Sequence, residues 1–179
     1  LEQIELYPKL SDFFIDKDCF YIVSSGFISK EKDFDKILYA LNILDKSYIK
    51  LVILGDGDYK NDLIQLADSL NLSNCYFPGN VDWKTMSLYY KLSDLFILPG
   101  LGGMVISEAM AHGLPVLMSS ADGVESDLII ENVTGFYFNK NDPFSLSKRI
   151  LELSSDKEKL SQIGNYAQKF ISNKFTLSN

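Results

Sequence analysis

Two cysteines, one histidine and one tryptophan in 179 residues leave this chain poor in the side chains that build disulfide frameworks or soft-metal sites. Cys19 and Cys75 form no C-x-x-C pair, and no histidine stands near either in sequence to complete a zinc set. Both fall in or beside a predicted strand and are expected to be reduced thiols of the core. Positive charge is also scarce. Seventeen Lys and Arg against 24 Asp and Glu give a formal charge of −7 and a pI near 4.7, which excludes the wide positive field of a nucleic-acid groove or a polybasic membrane surface. No apolar run approaches the ~18 to 20 residues that a membrane span needs, and no signal-peptide pattern is visible. The chain is therefore expected to be soluble and cytoplasmic. Internal repeats and low-complexity tracts are lacking too.

What is present is enough to fold. A 46% hydrophobic content over this length can bury a full core, as one domain or as part of a larger enzyme. Residues 1–18 show no long period and read as a linker or lead-in segment, followed by a domain over 19–179. From Cys19 onward, apolar runs near 19–24, 49–54, 74–77, 94–98, 115–118 and 135–138 alternate with helical stretches. That alternation predicts an α/β fold, a Rossmann-like open parallel sheet flanked by helices on both faces. Two amphipathic helices, about 143–154 and 156–172, are predicted at the end. The first is opened by Asp142 as N-cap and Pro143 in its first turn.

Each predicted strand ends in a turn facing the same edge: Ser24-Ser25-Gly26, Gly55-Asp56-Gly57, Pro78-Gly79-Asn80 and Pro99-Gly100-Leu101-Gly102-Gly103. Ligands of open α/β sheets bind at that edge. Residues 94–119 carry the most chemistry, as a buried strand, the glycine turn at 100–103, a helix bearing Glu108, and a second strand entered through Gly113-Leu114-Pro115. Such a crossover aims the unpaired N–H groups and positive dipole end of the helix at the sheet's mouth, a cradle for phosphate. Glu108 lies about five residues into the helix, roughly 7 Å along its axis. There it suits a hydroxyl-bearing group joined to a bound diphosphate. Its neighbours Val105, Ile106, Ala109, Met110 and Ala111 are apolar or small, so Glu108 is expected near the core edge in need of a partner.

These readings have plainer counterparts. Glycines also serve tight turns that bind nothing, Glu108 could be a solvated helix residue, and Lys32, at the start of the first helix, could be a surface charge. His112 near a helix C-terminus reads as a capping residue with no catalytic role. Tyr76, Phe77 and Trp83 read as core packing. Only the backbone around Gly79, Asn80 and Val81 is placed for a base edge.

Taken together, Ser25-Gly26-(x)5-Lys32, Val52-Ile53-Leu54-Gly55-Asp56-Gly57, Phe77-Pro78-Gly79-Asn80-Val81, Ser93-Asp94-Leu95-Phe96-Ile97-Leu98-Pro99 and Glu108-Ala109-Met110-Ala111-His112-Gly113-Leu114-Pro115-Val116 resemble, in order, the C-terminal, donor-binding half of GT-B glycosyltransferases of the retaining family four. The likeness spans about residues 19–172. It implies that Glu108 bonds a ribose, that Lys32 contacts the diphosphate, and that Gly79 to Val81 touch the base. It further implies that the amides of Gly103, Met104 and Val105 take the terminal phosphate, with Gly26, Gly55, Gly100 and Gly102 lining the nucleotide-sugar site. Lys32 and Glu108 are the implied catalytic pair, with no cofactor and no metal. The partners implied are a nucleotide diphosphate sugar and a saccharide or lipid-linked acceptor held by a separate N-terminal half, as in polysaccharide biosynthesis. A lipid-linked acceptor would place the full-length protein peripherally at a membrane. Without the acceptor half, the chain is expected to bind donor but not transfer it.

Four positions depart from the family's pattern. A glutamate common eight residues before Glu108 is Gly100, in a Pro-Gly-x-x-Gly variant where backbone amides replace the side chain. The arginine that usually partners the lysine is Phe27. Asp127 and Asn132 stand where glutamate and glycine are common, and asparagine tolerates left-handed backbone well. Two other functions fit the same architecture: a degenerate, non-catalytic nucleotide-binding module, and a sugar-nucleotide epimerase.

Overall fold

The computed structural model describes residues 13–119 and 127–176. The described residues hold six parallel strands, β1 Phe20–Ser25, β2 Ile49–Leu54, β3 Cys75–Gly79, β4 Leu95–Leu98, β5 Val116–Ser119 and β6 Gly135–Phe138. They lie in the order β3-β2-β1-β4-β5-β6. Between and after them run α1 Asp35–Leu44, α2 Lys60–Ser69, α3 Trp83–Leu92, α4 Met104–Ala111, α5 Pro143–Ser154 and α6 Lys157–Thr176, with a 3-10 turn at Lys30–Lys32. This is the predicted Rossmann-like sheet. The order reverses between β1 and β4, so the ends of these two strands flank a crevice, where open α/β sheets bind ligands.

Alternation along the strands explains the two covered faces. Phe20 and Ile22 of β1, Ile49, Leu51 and Ile53 of β2, and Leu95 and Ile97 of β4 point into one core with α1, α2 and α5. Val23, Val52, Leu54, Phe96 and Leu98 point into the other, with α3, α4 and the later part of α6. Because every central strand is apolar on both faces, the sheet can sit only between helix layers.

Several local expectations hold. Asp142 caps α5, its Oδ1 accepting the Phe144 N–H at 3.0 Å and the Ser145 N–H at 3.1 Å, with Pro143 in the first turn. Asn132 has φ 62°, the left-handed conformation expected of it. Cys19 is buried and Cys75 half-buried, both as free thiols. The final helix runs to Thr176, four residues beyond its predicted end.

The lead-in is more integrated than its sequence suggests. Residues 1–12 lie outside the described residues, but Phe13 stacks on Tyr76 at 5.5 Å and Phe14 meets Tyr21 at 4.6 Å between ring centroids. The Asp16 carbonyl also accepts the Tyr21 hydroxyl at 2.9 Å. Trp83 is the clearer surprise. Expected in the core, it is 73% exposed, with Lys84 Nζ 5.6 Å from its ring centre. It occupies the first residue of α3, just after the Asp82 cap, a position that turns its side chain outward. No helix among the described residues is long and apolar enough to cross a membrane.

Candidate functional site

The strand-end turns meet as predicted. The Gly26 N–H donates to the Leu54 carbonyl at 3.0 Å and the Gly55 N–H to the Gly79 carbonyl at 2.9 Å, tying the ends of β1, β2 and β3 into one rim. Close approach makes glycine necessary at Gly55, where a Cβ would stand 2.0 Å from the Gly26 oxygen. At Gly26 itself nothing lies within 4 Å, but φ is +139°, a conformation that side-chain-bearing residues rarely adopt.

Behind this rim lies a cleft of about 440 Å³ lined by Ser25, Gly26, Phe27, Leu54, Gly55, Asp56, Gly57, Asn80, Val81, Met86, Val105 and Glu108. Six residues singled out from sequence, Gly26, Gly55, Asn80, Val81, Val105 and Glu108, are thus brought together. Gly79 sits on the rim with φ +87°.

The N-terminus of α4 opens toward this side. Its N-cap is Gly103, and no side chain caps the first turn. The φ of 168° at Gly103 is ordinary extended backbone, and a Cβ there would meet nothing within 4 Å. Neither backbone nor packing requires glycine at this position. What its missing side chain leaves is open space beside the first turn of α4, at the positive end of the helix dipole. Met104 is exposed, and Gly102 precedes the cap on the same loop.

Glu108 departs from expectation. It is exposed, not held at the core edge, and its carboxylate makes no hydrogen bond or ion pair among the described residues. Its neighbours Ile106, Ala109 and Met110 are buried as predicted. The helix therefore buries one face while Glu108 faces the cleft, an unengaged acceptor for a ligand hydroxyl.

Gly79, Gly102, Gly103 and Met104 lie beside the cleft without lining it, and Lys32 and Gly100 do not border it either. Lys32 ends the 3-10 turn before α1 instead of opening a helix, and its Nζ donates to the Leu101 carbonyl at 2.8 Å. The ammonium thereby fastens the loop that carries Gly100 to Gly103. Gly100 is buried against the same turn: a Cβ there would lie 2.7 Å from the Lys32 carbonyl carbon and oxygen and 2.8 Å from the Glu31 oxygen. Glycine at 100 is thus a packing requirement, and the site the family fills with glutamate is closed to a side chain in this backbone. Phe27, where the family has arginine, lines the cleft at 62% exposure, so it is no core residue.

His112 behaves as a capping residue. Its Nδ1 lies 2.8 Å from the Glu108 carbonyl, which can only accept, so Nδ1 carries the proton, and Nε2 lies 3.0 Å from Ser87 Oγ. Tyr90 was not apparent from sequence. It is buried, its hydroxyl lies 2.8 Å from Ser25 Oγ, and its ring meets His112 edge-on at 5.3 Å. Burial pushes its hydroxyl up to about 12, opposed by the Ser25 bond and helped by the Glu108 charge. Lys60 was also missed. Its Nζ pairs with Asp56 at 3.4 Å and stands 3.1 Å from where a Gly79 Cβ would be, which puts a cation on the rim. Its position opening a helix directly after Gly55-Asp56-Gly57 is the signal that could have found it.

The metal-free expectation passes over three Asp-x-Asp triplets, Asp16 to Asp18, Asp33 to Asp35 and Asp56 to Asp58. Of these residues only Asp56 lines the cleft, and its carboxylate already accepts the Gly57 N–H at 2.9 Å and pairs with Lys60. Among the described residues, no three His, Cys, Asp or Glu side chains converge as a metal site would require.

The model of the family "Glycosyl transferases group 1" matches residues 9–170. A sulfoquinovosyl transferase of Arabidopsis thaliana is 30% identical over 153 residues, covering 82% of this chain and 29% of that protein. The solved structure of Anabaena HepE in complex with UDP and glucose is 25% identical with a TM-score of 0.81, over 93% of this chain and 47% of that one. The C-terminal domain of a glycosyl transferase group 1 protein, LpcC of Francisella tularensis, shares the fold with a TM-score of 0.78 at 21% identity, covering 92% of each chain. The chain spans less than half the length of the curated relatives it matches, 29% and 42% for two of them. With its parallel sheet and glycine-bearing strand ends forming one Rossmann-like half of a GT-B fold, the chain belongs to the glycosyl transferases group 1 family.

Proposed function

We propose that this domain binds a nucleoside diphosphate sugar and serves as the donor half of a retaining hexosyltransferase, acting on a saccharide or lipid-linked acceptor held by an N-terminal domain. The observation that carries this reading is the uncapped N-terminus of α4 at Gly103, with an unengaged Glu108 farther along the same helix facing the 440 Å³ cleft. A diphosphate placed at the Met104 and Val105 amides receives hydrogen bonds and the dipole, while Glu108 accepts from the ribose. The base then lies along Asn80 and Val81 at the other end of the cleft. The UDP and glucose held by HepE support a donor of this class.

Catalysis in this account is positioning together with stabilisation of charge on the departing diphosphate. The α4 amides supply the stabilisation without a metal. Lys32 contributes by holding the 101 loop and by placing a cation beside it. A thermal-shift panel of UDP-, GDP- and ADP-sugars tests the reading. At least one should raise the melting temperature saturably, and a flat response across the panel with folded protein refutes it.

A further inference from the structure

The nucleotide reading leaves unexplained why a tyrosine hydroxyl is buried beneath the cleft. Tyr90 is 1% exposed and Ser25 is 4% exposed, yet Ser25 lines the cleft, and their oxygens lie 2.8 Å apart. A phenol is the stronger acid of the two hydroxyls, and buried with Ser25 as its partner it is best satisfied by donating. Donation from Tyr90 into Ser25 Oγ leaves the serine proton unused. The open direction for it is the cleft.

Glu108 completes the geometry. It lines the same cleft, and its carboxylate is unengaged among the described residues. Its backbone carbonyl binds His112, the residue whose ring packs edge-on against Tyr90. Glu108 can only accept, and Ser25, once it accepts the hydrogen bond from Tyr90, is left to donate. A ligand hydroxyl between them would accept from Ser25 and donate to Glu108, and each bond in such a chain polarises the next. The charge of Glu108 is also close enough to Tyr90 to oppose ionisation of the phenol.

Resting on the nucleotide reading, we infer that Ser25 is a ligand-binding residue for the ribose hydroxyls of the donor, and that Tyr90 is the positioning residue that fixes the direction of the Ser25 proton. The chain runs from Tyr90 O–H to Ser25 Oγ, from Ser25 O–H to a ribose oxygen, and from the ribose O–H to Glu108.

Calorimetric titration with UDP, ADP and GDP identifies the diphosphate bound best, and its 2′,3′-dideoxy counterpart is then titrated alongside it. Ser25→Ala should weaken the ribose diphosphate about five- to tenfold and leave the dideoxy compound unchanged. Tyr90→Phe should cost about threefold on the ribose form and nothing further in the Ser25→Ala background. Ser25→Cys, which keeps the volume with a weak donor, serves the same contrast if Ser25→Ala does not fold. Equal losses on both ligands, or no loss on either, overturn the inference while leaving the nucleotide reading intact. Failure of the unsubstituted chain to bind any of the three diphosphates overturns both.

Discussion

Gly100 and Gly103 lie three residues apart on one loop, and the structure assigns them opposite reasons for being glycine. At Gly100 a Cβ would sit 2.7 Å from the Lys32 carbonyl, against about 3.4 Å for ordinary contact, so the 3-10 turn must retreat by about 0.7 Å. The obstacle is backbone and cannot rotate away. Overpacking of this kind costs about 1 to 3 kcal/mol, which for a domain of this size lowers the melting temperature by roughly 2 to 12 °C. The retreat would also pull on the bond from Lys32 to Leu101. At Gly103 a Cβ meets nothing within 4 Å and the backbone is extended, so Gly103→Ala should stay within about 0.5 kcal/mol of the unsubstituted chain. It should nevertheless weaken diphosphate binding, because a methyl group is added at the N-cap of α4, where the phosphate is proposed to sit. Urea unfolding followed by far-ultraviolet circular dichroism gives the stabilities, and calorimetry with UDP, ADP and GDP gives the affinities. Equal stability of Gly100→Ala and Gly103→Ala would refute the packing argument, and undiminished affinity in Gly103→Ala would refute the phosphate placement.

Three further outcomes are expected. Glu108→Ala should cost about 1.5 to 3 kcal/mol of nucleotide affinity as a lost charged hydrogen bond with no change in stability, since the side chain is exposed; unchanged affinity in calorimetry sinks the ribose assignment. Phe27→Arg should fold normally, Phe27 being 62% exposed, and should tighten diphosphate binding by supplying a bidentate partner; a flat result means that the arginine of the family is not missed here. Tyr89 and Tyr90, both pushed up to about 12 by burial, should keep their protons in the folded chain while the unfolded chain loses them near pH 10. Stability should therefore be full below about pH 10 and fall as pH rises toward 12. Thermal melts against pH should show a shallower alkaline loss in Tyr90→Phe, and an unchanged slope counts against its burial.

The sheet was legible because its strands are short apolar runs bounded by turn residues, a signal that needs no knowledge of partners. The same holds for Asp142 and Pro143, whose capping role depends only on adjacent N–H groups. Contacts between residues far apart in the chain were not legible in this way. The carbonyl that crowds Gly100 belongs to Lys32, 68 residues earlier in sequence. The acceptor of the Lys32 ammonium, the Leu101 carbonyl, lies 69 residues away. Glu108 read as half-buried because its sequence neighbours are apolar, yet helical geometry turns each residue 100° from the last, and its own face is open. Trp83 was misjudged from residue type alone. The Ser25 and Tyr90 pair, 65 residues apart, left no sequence signal at all.

The central claim is that a nucleoside diphosphate lies between the α4 amides and the β3 turn. Two-dimensional 1H–15N spectra of the labelled chain, titrated with UDP, ADP and GDP, address it most directly. The account predicts saturable shifts at Gly26, Asn80, Val81, Gly103, Met104 and Val105 for at least one of them, absent or much weaker in Glu108→Ala. Spectra unmoved by all three at millimolar concentration, or shifts gathered at the opposite edge of the sheet around Asn42, Asn71 and Asn74, would contradict it.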